Sequence, residues 1–152
     1  VYRRSVYTFW KRTGPTPVMM ALDASKRDVC TVRRERTDSA SQALIMLNGT
    51  QFVETARATA DILIRNHGTT NSNDLIEEAF KKLTSRSPSK REFKILQNLL
   101  EEQKKYFTDN KETEKFLKVG YYQAKAKDKK YLAAVTSLVS TLMNFDGTLS
   151  KR

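Results

Sequence analysis

Apolar residues in this chain recur every three or four positions, and no stretch alternates cleanly between apolar and polar. Leu75, Ile76, Ala79, Phe80 and Leu83 keep that spacing, as do Phe93, Leu96, Leu100, Gln103 and Phe107, then Tyr131, Val135, Leu138, Leu142 and Phe145. A half-buried strand needs a period of two, whereas a period near 3.6 puts one stripe of a helix against a core. The predicted fold is therefore all-α. It is an irregular helical bundle of about six helices, preceded by an irregular Arg-rich segment. At 152 residues the chain is expected to form a single domain.

Local signals place the element boundaries. Tyr2, Val6, Phe9 and Trp10 predict a short helix over 2–12 with an aromatic face, ended by Gly14-Pro15-Thr16-Pro17. An extended stretch to Thr37 follows, with Val18, Met19, Met20 and Leu22 expected along the core. The Thr37–Ser41 cluster offers several helix caps ahead of Ala43, Leu44 and Leu47, and Asn48-Gly49 breaks that helix. Thr50 is expected to cap a helix through Arg65 with Phe52, Ala56, Ala60 and Leu63 inward, stopped at Asn66-His67-Gly68. Asp74–Thr84 and a helix to Tyr106 form an αα-hairpin, the second member opened by the capping box Ser89-Lys90-Arg91-Glu92. Glu112–Val119 reads as a short helix, 124–130 as a charged mobile stretch, and Tyr131–Phe145 as a last helix stopped by Asp146-Gly147.

Charge is segregated along the sequence. Residues 1–36 carry nine Lys/Arg against three Asp/Glu, a net +6, and residues 37–80 carry two against six, a net −4. Residues 81–130 return to +8 with fifteen against seven, within a total of +11. Arginine dominates the first basic block and lysine the second. Arginine recognises carboxylate and phosphate through a planar fork, while lysine mostly keeps a surface hydrated. The first block thus carries the candidate for specific contacts: Arg33, Arg34 and Arg36, just ahead of a capped helix. Such a cluster can hold a phosphate, sulfate or carboxylate. Its structural alternative, which the residues favour, is to pin an irregular segment onto Asp23, Asp28, Glu54 or Asp61.

Other chemistry is thin. Cys30 beside Arg33 and Arg34 would favour a thiolate, but between Val29 and Val32 it reads as a small buried apolar residue. His67 lies where a helix ends and is expected to serve the last carbonyls and the helix dipole. Met19 and Met20 read as core filling rather than axial ligands, and Glu77-Glu78 and Glu101-Glu102 are adjacent pairs whose carboxylates diverge. One Cys and one His exclude an internal disulfide and a structural zinc site of sulfur and imidazole. Asn48-Gly49-Thr50 matches a glycosylation acceptor, although a turn between helices accounts for it. No catalytic residue, cofactor or metal ligand is assigned, and the stretch leans away from being an enzyme by itself. Nucleic-acid binding rests on charge alone, without a helix-turn-helix pattern or interleaved aromatics, and is disfavoured. No apolar run reaches the roughly 20 residues that span a bilayer. The opening Val-Tyr-Arg-Arg-Ser-Val-Tyr lacks an initiator Met and a signal-peptide core, which suggests the C-terminal fragment of a larger multidomain protein.

Several segments carry a family pattern: Tyr2–Arg12, Asp23, Cys30-Thr-Val-Arg-Arg-Glu-Arg-Thr37, Gln42-Ala-Leu, Leu47-Asn48 and Phe52-Val-Glu-Thr-Ala-Arg57. With the Phe80–Glu92 hairpin and the closing Leu142-Met-Asn-Phe-Asp, the sequence resembles the C-terminal part of the planctomycete-type domain of unknown function 1553. Cys30, Thr37, Gln42 and Asn48 are the motif residues of that resemblance. The sequence departs from it with Ser39-Ala40-Ser41 where Thr-Pro-Leu is usual, and with Gly49 where Asp often stands. The resemblance implies a bacterial, extracytoplasmic setting. Such domains end large exported proteins that often carry domain of unknown function 1549 and a cytochrome c-like domain. It implies no catalytic residue. Three functions remain open: a non-catalytic module packing against upstream domains or another protein, binding of an anionic polysaccharide or other polyanion, and completion of an active site on an adjacent redox or hydrolytic domain.

Overall fold

A computed structural model describes residues 5–11, 14–25, 30–33, 37, 39–69 and 71–149. Its helices are α1 (Pro17–Ala21), α2 (Ala40–Asn48), α3 (Thr50–His67), α4 (Ser72–Thr84), α5 (Lys90–Tyr106), α6 (Asn110–Leu117), α7 (Lys129–Met143) and α8 (Asp146–Leu149), after a single 3-10 turn at Ser5–Tyr7. Among the described residues there is no strand, only an isolated bridge between Lys11 and Gly14. The all-α expectation holds, and six of these helices have eight or more residues. The protein divides into two compact units, Val1–Ile45 and Met46–Arg152.

The second unit is built around α7. Tyr131 through Thr136, Leu138, Val139 and Leu142 are all buried, so this helix is covered nearly all round. A helix apolar on most of its circumference belongs in the middle of a bundle. α3, α5 and α6 pack against it, and α4 closes against α3 and α5. Ala56 and Ala60 on α3 and Ala133 and Ala134 on α7 are fully buried in the shared core, and small side chains there let helix axes approach closely. Leu63, Leu75, Ile76, Phe80, Leu96, Leu100 and Phe107 fill the remaining space.

Helix ends follow local chemistry. Ser89 accepts from the Glu92 amide at 3.3 Å while Glu92 accepts from the Ser89 amide at 2.8 Å, completing the predicted capping box. Asp109 and Asp128 cap α6 and α7 by accepting from Lys111 N–H and Tyr131 N–H, each at 3.0 Å. At the end of α3, Gly68 takes φ 71°, and Ser85 takes φ 61° at the end of α4. That left-handed region costs a residue bearing a Cβ.

Several boundaries differ from expectation. Gly49, not Thr50, is the cap residue of α3, with no side-chain hydrogen bond to the helix. Asp146-Gly147 does not end the last helix but begins α8, after α7 has ended at Met143.

The described part of the first unit behaves differently. Across residues 5–11 the expected helix does not form: only Ser5–Tyr7 turns, and Phe9, Trp10 and Lys11 leave helical geometry. Tyr2, Arg3, Arg4 and Arg12 lie outside the described residues. An isolated helix this short is marginal without packing, and Val6, Thr8 and the aromatics lose side-chain freedom in it. Pro17, expected to break structure, instead starts α1, where its missing N–H costs nothing. Val18 and Met20 are exposed rather than in the core, while Met19 and Leu22 are half-buried.

Candidate functional site

The Arg-rich segment is tied at its base by one carboxylate. Asp23 sits at φ 55°, a conformation that Asp tolerates better than most side chains. It accepts from the Thr37 amide at 2.7 Å and from Thr37 Oγ1–H at 2.8 Å. Gln42 Nε2–H donates to Asp23 Oδ2 and to Thr37 Oγ1, both at 2.9 Å. Gln42 also anchors the start of α2. Its amide donates to Ser39 Oγ at 3.3 Å, and its Oε1 accepts from the Ser39 amide at 3.2 Å, a capping box with glutamine in the Glu role. Ser39 is thus the cap among the several candidates in Thr37–Ser41. Three of the residues that carry the family pattern, Asp23, Thr37 and Gln42, therefore form one hydrogen-bonded knot.

Of the Arg cluster, only Arg33 is among the described residues. Asp23 is taken up by Thr37 and Gln42, and Arg33 is exposed with no hydrogen bond or ion pair to another described residue. Arg34 and Arg36 lie outside the described residues, as do Asp28, Glu35 and Asp38. Cys30 is exposed, contrary to the expectation of burial, and Val32 beside it is fully exposed, so no apolar pocket encloses the thiol. Asn48 is exposed at the last residue of α2.

A second constellation is not apparent from the sequence. Glu54, Arg57 and Asp61 are buried on α3 at spacings of three and four, which aligns them on one face. They hold the backbone between α6 and α7. A Glu54 carboxylate oxygen accepts from the amides of Tyr121, at 2.8 Å, and Tyr122. Arg57 donates to the carbonyls of Leu117 and, at 2.8 Å, Tyr122. Asp61 accepts from the Lys125 amide at 3.0 Å, the Ala126 amide at 2.8 Å and the Tyr122 hydroxyl at 2.8 Å, with Arg65 Nε 3.4 Å away. Burial, helped by Asp61, raises the Tyr122 pKa and keeps its phenol protonated.

Gly120 completes this clasp. It takes φ 81°, and a Cβ there would fall 2.6 Å from the Glu54 carboxylate. Side chains thus replace the missing helix as partners for the backbone between α6 and α7. The stretch expected to be mobile is tied down at Lys125 and Ala126, and the residues before it at Tyr121 and Tyr122. The arrangement is structural in chemistry: Arg57 bonds two backbone carbonyls and Asp61 bonds two backbone amides and the Tyr122 hydroxyl, which leaves a buried Arg57 Nε without a partner. Its signal in the sequence is three polar residues on the inward face of an otherwise apolar helix. Asp61 does not receive an arginine of the first block, as expected, but pairs with Arg65 one turn along α3.

His67, the last residue of α3, meets the Glu78 carboxylate of α4 through Nε2. This hydrogen bond, ahead of the charge attraction, lowers the Glu78 pKa. The ring therefore serves an interhelical pair rather than the end of its own helix. Between α4 and α5 runs a groove of about 440 Å³ lined by Ser72, Asn73, Ile76, Gln97 and Lys104. Its polar groups pair across it, Gln97 with Asn73 at 2.7 Å and Lys104 with Ser72 at 3.4 Å. Among the described residues no group of three or more His, Cys, Asp or Glu could hold a metal ion. No described helix is long and apolar enough to cross a membrane.

A family model described as "Protein of unknown function (DUF1553)" matches residues 1–100. No curated protein matches. No solved structure matches.

Proposed function

The protein belongs to the DUF1553 family of proteins of unknown function, and on that premise we propose that it is a non-catalytic helical module whose N-terminal unit packs against a neighbouring domain or another protein. One observation carries this reading. None of the described residues before Ile45 is buried, while Val6, Tyr7 and Phe9 are 66%, 74% and 83% exposed. Scattered exposed apolar residues are ordinary, but three within four positions, in a unit with no buried residue among those described, mark an interaction surface. The expected setting is extracytoplasmic, as in the large exported bacterial proteins that the family pattern suggests. A fluorescent apolar probe should bind the protein, and Phe9→Ser should remove most of the signal. A protein that is strictly monomeric and binds no probe would reject the proposal.

A second reading has support of its own. Arg33 is exposed without a partner among the described residues, and Asp61 is engaged by two backbone amides and the Tyr122 hydroxyl. This favours a role for Arg33, Arg34 and Arg36 in binding an anionic polysaccharide or other polyanion. Heparin retention should then be salt-dependent and should fall in an Arg33→Ala, Arg34→Ala double variant. Retention that survives both substitutions sinks the specific version.

A further inference from the structure

The junction between α2 and α3 is a single residue, Gly49, preceded by the exposed Asn48. We propose that Asn48 is a self-modification site at which the protein deamidates spontaneously, placing a new carboxylate at the head of α3. The reaction needs the Gly49 backbone nitrogen to reach the Asn48 amide carbon, Cγ. That nitrogen, on losing its proton, attacks Cγ. A bond forms between the Gly49 nitrogen and Cγ, the bond from Cγ to Nδ2 breaks, and ammonia leaves with the proton it requires. Water then opens the resulting five-membered succinimide at either carbonyl, giving aspartate or its β-linked isomer. One water is consumed, one ammonia is released, and nothing is oxidised or reduced.

The sequence holds seven asparagines, and only Asn48 precedes glycine. A Cβ on the following residue crowds the attack, and glycine removes that obstacle while widening the backbone angles available. Asn66, Asn73, Asn98 and Asn110 lie within α3, α4, α5 and α6, and Asn144 caps α7 ahead of Phe145. Asn71, the exposed cap residue of α4, is the nearest rival, but Ser72 follows it. Asn48 is instead the terminal residue of its helix, where ends fray and the backbone samples other angles.

The product has a structural consequence. α3 has no side-chain cap and no acidic residue in its first turn. A carboxylate one residue before its cap lies near the positive end of the helix dipole, so the aspartate product suits the site. The β-linked product lengthens the backbone between α2 and α3 and disturbs the same junction. The two outcomes differ in sign, and either one lowers the net charge of +11 by one.

The test is incubation of the folded protein at mildly alkaline pH, followed by tryptic mapping. The peptide 37–57 contains Asn48 and no other asparagine, while 66–81 contains Asn66, Asn71 and Asn73. Peptide 37–57 should convert first, giving both aspartate isomers, and Gly49→Ala should slow it several-fold. Gly49 adopts φ −65° and ψ 129°, an extended conformation that alanine also takes. Conversion of 66–81 ahead of 37–57 would overturn the proposal. So would an unchanged rate in Gly49→Ala, or conversion at Asn48 only after unfolding in urea.

Discussion

Removing the Asp61 carboxylate should release the backbone between α6 and α7 and take a large share of the stability with it. Asp61 is fully buried and accepts from two backbone amides and the Tyr122 hydroxyl. Leaving a buried donor unsatisfied costs about 1–3 kcal/mol. The Lys125 and Ala126 amides are only part-buried, and water that follows the lost side chain recovers some of that cost. Arg65 is half-exposed, so its ion pair adds little. Asp61→Ala should therefore lose about 2–4 kcal/mol, set against a total of about 5–15 kcal/mol for a domain. Asp61→Asn keeps one oxygen for the two amides and turns its NH2 toward the Tyr122 oxygen, which can accept. That variant should lose about 1–2 kcal/mol, chiefly the charge on the acceptor. Urea unfolding followed by circular dichroism gives both values, and hydrogen exchange reports the amides of Lys125 and Ala126 directly. An Asp61→Ala protein that unfolds within about 0.5 kcal/mol of the parent would refute the clasp's role in stability. Unchanged exchange at those two amides would refute it as well.

Three further outcomes follow from helix ends. Arg86 holds the Glu92 carboxyl down to about 2 from the ordinary 4.5, with the Ser89 amide assisting. A depressed carboxylate pKa contributes stability above 4.5 that is lost as pH falls through about 2. Glu92→Gln should flatten the acid limb of a stability-versus-pH curve in that window, at a cost near neutral pH of about 1 kcal/mol because the pair is partly exposed; an unchanged acid limb refutes the assignment. Ser85→Gly should stabilise α4 by about 1 kcal/mol by relieving its left-handed conformation, and a loss in thermal melting would contradict that. Gly49→Asp should gain about 1 kcal/mol by giving α3 a side-chain cap and a favourable charge, and should also slow deamidation at Asn48. A Gly49→Asp variant no more stable than the parent would show that the α3 end is already satisfied.

Legibility in the sequence tracks how local the physics is. The α5 start is readable because Ser89 and Glu92 satisfy each other three residues apart, and the bundle core because its stripes repeat at helical spacing. The clasp is not, since Asp61 meets Tyr122, Lys125 and Ala126 from more than sixty positions away and no short window contains both sides. Asp61 stands out in the sequence as a carboxylate in need of a partner, but a first-block arginine is the wrong one: backbone amides, Tyr122 and Arg65 take that place. In the first unit the mismatch runs the other way. Val18 and Met20 read as core residues but are exposed, because a run of apolar residues does not say whether anything covers them. The motif residues Thr37 and Gln42 mark a real knot around Asp23, and its hydrogen bonds explain why those residue types occur together. The Arg33 side chain lies outside it.

On the proposed function, Val6, Tyr7 and Phe9 form a contact surface and contribute nothing to the folded core. A triple variant, Val6→Ser, Tyr7→Ser and Phe9→Ser, tests it in one preparation, with urea unfolding and apolar-probe binding measured side by side. Exposed substitutions typically change stability by about 0.5 kcal/mol or less each, whereas a single buried Phe→Ala costs about 3–5 kcal/mol. The expected result is an unfolding midpoint close to the parent's together with loss of probe binding. A variant destabilised by several kcal/mol, or one that still binds the probe as the parent does, would contradict it.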